Sequence, residues 1–88
     1  MSPELETLDQ LLGGDLTLAL IRSFFEDEKR FAQAITAMLN AGEVRMLAID
    51  GTELHSWQWR DVLSLGSGEA IRTQTLLSIT ESGCRRID

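Results

Sequence analysis

Residues 16–51 carry the pattern that decides the fold, and they read LTLALIRSFFEDEKRFAQAITAMLNAGEVRMLAIDG. Apolar residues recur at helical spacing through most of this stretch, a largely apolar run spans Val44 to Ile49, and Asp50-Gly51 follows. Helical spacing predicts helices with one buried face, and an Asp-Gly pair after a strand is a strong hairpin signal. The stretch therefore predicts helix, turn, helix, strand and hairpin, in that order.

The acidic triplet Glu26-Asp27-Glu28 leaves two interpretations open, because no glycine or proline lies between Asp15 and Ala41. The apolar stripes before and after the triplet are nearly in phase, so one long helix would satisfy both. That helix would place two of the acidic side chains within the apolar stripe, where burying charge is costly. We favour a break, with Asp27 capping a helix that runs from Glu28 to Ala41.

The flanking segments carry their own start and stop signals. Ser2 and Pro3 suit the cap and the first turn of an N-terminal helix, and Gly13-Gly14 suits its end. The segment from Thr73 to Ile79 is rich in strand-forming residues and predicts a returning strand. Thr80 then predicts the N-cap of a short last helix.

A hairpin turn at the Asp-Gly pair sets the register of the strand that follows. A two-residue turn pairs Val44 with Trp57. Trp57 and Trp59 then lie on the core side of the hairpin, and Arg45 and Arg60 lie on the other face. We therefore expect the two tryptophans to be core residues, and the alternative is that they form a platform for stacking nucleic-acid bases.

Length and charge limit the classes of protein that this chain can represent. With 88 residues we expect a single domain, 1–88, with a small core. The net charge of −6 argues against indiscriminate nucleic-acid binding, which is typical of basic domains. Residues 1–28 hold seven acidic residues and one base, whereas residues 29–88 hold seven of each. A neutral or locally positive face is therefore expected outside the N-terminal segment.

Residues that could perform chemistry are few. Cys84 is the only cysteine and His55 the only histidine. A metal site needs several ligands and a nucleophile needs a base beside it, and no local pattern provides either. The sequence therefore predicts no metal, no cofactor and no enzymatic activity. A single cysteine suits a reducing compartment and no apolar run could span a membrane, so we expect a cytoplasmic protein.

The outer face of the predicted helix from Glu28 to Ala41 carries side chains that can hydrogen-bond base edges and phosphates. Any amphipathic helix has a polar outer face, so this pattern permits DNA contacts without requiring them. The residues are Lys29, Gln33, Thr36 and Asn40, with Arg30 at the flank.

Three pieces of the sequence lie in an order and at a spacing found in a known superfamily. The segment from Asp15 to Ile21 looks like the opening of its second helix. The segment from Ile35 to Leu47 is similar to the end of its recognition helix, where an apolar residue, a small residue, glycine and valine lead into the wing. The segment from Leu77 to Arg86 looks like the strand and "Leu-Thr-x-x-Gly-Arg" helix start of bacterial regulators. In these features the chain resembles the winged helix-turn-helix superfamily.

This resemblance implies an α+β fold, in which a three-helix bundle is followed by a β-hairpin wing, a returning strand and a short C-terminal helix. It also implies that the helix from Glu28 to Ala41 enters a major groove of double-stranded DNA while the hairpin touches the backbone. We therefore expect a small regulator-like DNA-binding protein, acting as a homodimer because dimers bind two half-sites. The implied DNA-contacting residues are Lys29, Arg30, Gln33, Thr36, Asn40 and Arg45.

Acidic residues keep a second hypothesis open. The acidic triplet Glu26-Asp27-Glu28 lies where a recognition helix approaches phosphates. The hairpin tip holds Asp50 and Glu53 and no lysine or arginine. Winged helices also serve as protein-interaction modules. The alternative is therefore a winged-helix module that binds a basic or apolar surface of a protein partner and no DNA.

Overall fold

A computed structural model describes residues 2–64 and 69–87 of the chain. Over these residues the protein is a small α+β fold of six helices and one three-stranded antiparallel sheet. Its elements in chain order are α1 (Pro3–Leu11), β1 (Leu16–Thr17), α2 (Leu18–Arg22), α3 (Glu28–Asn40), β2 (Val44–Ala48), α4 (Ser56–Leu63), α5 (Glu69–Thr73), β3 (Thr75–Ile79) and α6 (Glu81–Arg86).

The sheet has the strand order β1–β3–β2, so the last strand in sequence lies in the middle. Leu16 pairs with Leu77 on one side of β3, and Met46 pairs with the same residue on the other side. Side chains alternate between the faces of a strand, so Val44 and Met46 point into the core while Arg45 points out. The core lies between this inner face and helices α1, α2 and α3.

Helix α3 buries one face against the sheet, as its apolar spacing predicts. Its buried residues recur three or four positions apart and lie on one side of the helix. Phe31 is fully buried, and its ring meets the ring of Phe25 edge to face at 5.8 Å between centroids. The buried residues of α3 are Phe31, Ala34, Ile35, Met38 and Leu39.

The predicted break between the second and third helices is confirmed. Helix α2 begins after Thr17, whose hydroxyl accepts a hydrogen bond from the Leu20 backbone N–H, and it ends at Arg22. The Asp27 carboxylate accepts a hydrogen bond of 2.8 Å from the Arg30 backbone N–H and caps α3. The Asp27 cap is local, so the sequence around it was sufficient to place it.

The predicted second strand of the hairpin is wrong. The chain turns at Asp50-Gly51, where Gly51 has a φ of 93°, but only Leu47 and Glu53 form a bridge before the pairing ends. Residues Ser56–Leu63 then form helix α4. The Gln58 side chain accepts a hydrogen bond of 2.8 Å from the His55 backbone N–H, which stabilises this helix start.

The tryptophans accordingly do not share a strand face. Trp57 is 71% exposed, so its predicted place in the core is wrong, whereas Trp59 is half-buried against the core. The alternation of Trp57 and Trp59 suggested a strand. The helical spacing of Trp59, Val62 and Leu63 is the pattern that the structure follows, because these three side chains face the core together.

The last strand and helix follow the prediction closely. Strand β3 begins at Thr75, two residues later than expected, because Thr73 ends α5. Thr80 caps α6, since its hydroxyl accepts a hydrogen bond from the Gly83 backbone N–H and donates one to the Gly42 carbonyl. A methyl group on Gly83 would collide with the Glu43 carbonyl oxygen, so glycine is what lets α6 pack here.

Candidate nucleic-acid interface

The six residues that the resemblance assigns to DNA contact are all exposed. Within α3, Lys29, Gln33, Thr36 and Asn40 follow one another at intervals of four, three and four residues. That spacing places them in one row along the outer side of the helix. We refer to these four residues as the α3 row.

Helix α3 forms one wall of each of two neighbouring grooves, and three residues of the α3 row line them. The groove between α3 and α4, here the α3–α4 groove, has a volume of about 360 Å³ and includes Thr36 and Asn40. The groove between α3 and the start of α1 has a volume of about 730 Å³ and includes Arg30 and Gln33. Gln33, Thr36 and Asn40 also line one shallow depression along the outer side of α3. Lys29 lines neither of the two grooves.

Helix α4 contributes a cation that the sequence analysis did not identify. Arg60 is exposed and lines the α3–α4 groove opposite Thr36 and Asn40. The predicted strand places Arg60 on the hairpin face opposite the core, whereas in the helix Arg60 lines the groove beside α3. The helical spacing of Trp59, Val62 and Leu63 was the available signal, since a helix with those residues buried turns Arg60 outward.

Arg45 is not brought to the α3 row. It lies on the outer face of the sheet, opposite Val44 and Met46, and its guanidinium is 3.9 Å from a carboxylate oxygen of Glu53. Neither groove described above includes it. At the start of α3, Arg30 has a similar loose ion pair of 3.9 Å with Asp27.

Two arginines hold the N-terminus of α3 through one carboxylate. Arg72 donates a hydrogen bond of 2.6 Å to Glu28 Oε1, and Arg22 donates one of 3.2 Å to the same oxygen. The hydrogen bond from Arg72 is the main reason that the pKa of Glu28 lies below its ordinary value. Burial opposes this effect, and the hydrogen bond from Arg22 lowers the pKa further. Glu28 is therefore ionised at neutral pH and fixed in position.

Arg72 also connects α3 to the end of α4. The side chain of Arg72 is 7% exposed, and its guanidinium carbon lies 4.9 Å from the centre of the Phe31 ring. Its Nε donates to the Val62 carbonyl at 3.2 Å and one terminal nitrogen donates to the Ser64 carbonyl at 3.4 Å. Because Phe31 belongs to α3 and Val62 to α4, this single arginine joins both walls of the α3–α4 groove.

The surroundings of the site offer no metal centre within residues 2–64 and 69–87, where no three His, Cys, Asp or Glu side chains are grouped to hold an ion. No helix in those ranges is long and apolar enough to cross a membrane. Comparisons with protein-family models, with curated proteins and with solved structures find no match.

Proposed function

We propose that this chain is a winged-helix variant that binds double-stranded DNA through α3. The observation that carries the proposal is the α3 row, an exposed line of one cation and three hydrogen-bonding side chains on a helix whose other face is buried. Arg30 adds a second cation in the first turn. The order of the helices and strands supports the proposal, with α4 and α5 in the place that a simple wing would take.

The cations near the α3 row set the strength of the expected binding. Lys29, Arg30 and Arg60 are exposed on or beside α3 and can each neutralise one phosphate. With three such contacts, log K should fall with log salt at a slope of about −2.7, or about 40-fold between 50 and 200 mM salt. A homodimer would double the number of contacts, so we also propose that the protein binds DNA as a dimer.

Fluorescence anisotropy of a labelled mixed-sequence duplex, measured at several salt concentrations, tests this proposal. Gln33→Ala should weaken binding to a preferred sequence by about 1–3 kcal/mol if its amide contacts a base. Lys29→Ala should weaken binding to all sequences and make the salt slope shallower by about 1. The matched controls are Gln10→Ala and Arg85→Ala, which remove exposed side chains outside α3.

Equal affinities of the parent, Lys29→Ala and Gln33→Ala would show that α3 is not the DNA-binding helix. Binding that is independent of salt would contradict phosphate contacts by Lys29, Arg30 and Arg60 together. That result would favour the second candidate function, which is a protein-interaction module that binds no DNA. The observation that favours this second candidate is the exposure of Trp57, an apolar side chain on the side of α4 that faces away from α3.

A further inference from the structure

Helix α4 lines two grooves, one on each side. Trp59 and Arg60 face the α3–α4 groove. Trp57 and Asp61 face a second groove, which α4 forms with α5 and the residues after it. This α4–α5 groove has a volume of about 310 Å³, and Ile71 of α5 also lines it.

The rim of the α4–α5 groove is apolar and exposed. Trp57 is 71% exposed and Ile71 is 45% exposed, and both line the groove. Removing large apolar side chains from water is favourable, so a partner that covers such side chains at a concave site is bound more tightly. A volume near 310 Å³ lies at the small end of binding pockets, so the groove suits one or two side chains.

The charge of the α4–α5 groove determines which kind of partner side chain it can bind. Among its lining residues, all of which the structure describes, Asp61 is the only charged one. Asp61 follows Trp57 by four residues on α4, which places the carboxylate and the indole ring side by side on one helix face. The ring of His55 lies nearly parallel to that of Trp57, with an interplanar angle of 10° and 6.2 Å between centroids.

A carboxylate beside an exposed indole face is complementary to a guanidinium group. The negative face of the indole attracts a cation, most often that of arginine, and the carboxylate accepts charge-assisted hydrogen bonds from the same group. The methylene stem of an arginine is apolar and can lie along Ile71. Among the described residues that line the groove, a phosphate would meet the carboxylate of Asp61 and no lysine or arginine, so nucleic acid does not fit this groove.

We propose that the α4–α5 groove binds an arginine side chain, flanked by an apolar residue, from an extended segment of a protein partner. The guanidinium stacks on Trp57 and pairs with Asp61, and the neighbouring apolar side chain covers Ile71. This surface is separate from the α3 row, so the protein can hold such a partner whether or not it binds DNA.

The experiment uses the peptide acetyl-Gly-Leu-Arg-Leu-Gly-amide as probe, and the same peptide with glutamate in place of arginine as its control. In the Trp59→Phe variant, Trp57 is the only tryptophan, so its fluorescence reports on the groove. We expect the arginine peptide to change this fluorescence in a saturable way at millimolar concentration and the glutamate peptide to have no effect. Should Trp59→Phe fail to fold, the indole N–H signal of Trp57 in NMR spectra of the parent chain gives the same information.

Two variants and a control locate the interaction. Trp57→Ala removes the reporter, so its binding is followed through the chemical shifts of the peptide in NMR spectra, and we expect no change in those shifts. Asp61→Asn keeps the reporter and should weaken binding about two- to fivefold, as expected for a partly exposed cation contact. Asp9→Asn removes an exposed carboxylate from α1 and should leave binding unchanged. Equal binding of both peptides, unchanged binding by Asp61→Asn, or no response at millimolar peptide would overturn the proposal. A response of Trp57 to a short DNA duplex instead would assign the groove to nucleic acid and overturn it as well.

Discussion

Replacing Arg72 by methionine removes one buried side chain that joins three elements of the fold. Methionine keeps the length and the apolar part of the side chain, but it loses the guanidinium. The Glu28 carboxylate then keeps only Arg22, and the Phe31 ring loses the cation above it. The hydrogen bonds from Arg72 to the carbonyls of Val62 and Ser64 are lost at the same time.

The expected size of this effect follows from the contacts that are lost. Breaking one side of a buried ion pair costs about 3–5 kcal/mol. The Glu28 side chain is 35% exposed and retains Arg22, so water and the second guanidinium screen the charge left behind. We therefore expect Arg72→Met to lower the free energy of unfolding by about 3 kcal/mol. A chain of this length has only about 4–13 kcal/mol in total.

Urea denaturation followed by circular dichroism measures this loss. With a slope of about 1–1.5 kcal/mol per molar, the midpoint should fall by about 2–3 M. The matched control is Arg60→Met, which removes an exposed guanidinium from α4 and should change the stability by less than about 0.5 kcal/mol. A loss below about 1 kcal/mol in Arg72→Met, or a loss equal to that of the control, would refute the argument that Arg72 holds α3, α4 and α5 together.

Two further predictions concern stability. Glu28 has a lowered pKa in the folded state, so its contribution is complete above its ordinary pKa of about 4.5 and is lost as pH falls through the lowered value. The gap in unfolding free energy between the parent and Glu28→Gln should therefore shrink between pH 7 and pH 3 in urea titrations, and a constant gap would contradict this. Gly83→Ala forces a methyl group against the Glu43 carbonyl and should cost about 2–3 kcal/mol by thermal unfolding, whereas Ser82→Ala should cost less than about 0.5. Equal melting temperatures for these two alanine variants would show that α6 can move aside.

Local signals in the sequence were sufficient for the starts of α1, α3 and α6. Ser2, Asp27 and Thr80 each accept a backbone hydrogen bond within three residues, so each helix start could be predicted from its neighbours. The polar outer face of α3 was predicted in the same way, and its residues are exposed as expected.

The remaining features depend on distant parts of the chain or on competing local patterns. Arg72 meets Glu28 across 44 positions, and no spacing rule connects residues so far apart. In residues 52–63, tryptophans at alternate positions matched a strand while the buried side chains matched a helix. The strand prediction also placed Arg60 on the hairpin face opposite the core, so one error in secondary structure displaced a residue of the candidate site.

The central position of β3 has a consequence for the synthesis of the protein. Both of its neighbours, β1 and β2, are made earlier, and β1 pairs with a strand about 60 residues further along the chain. Until Thr75–Ile79 leaves the ribosome, neither earlier strand has its partner. Contacts so distant in sequence also slow folding, because a long loop must close before they form. The helices that precede β3 can form during translation, but the sheet is completed only after β3 has been made.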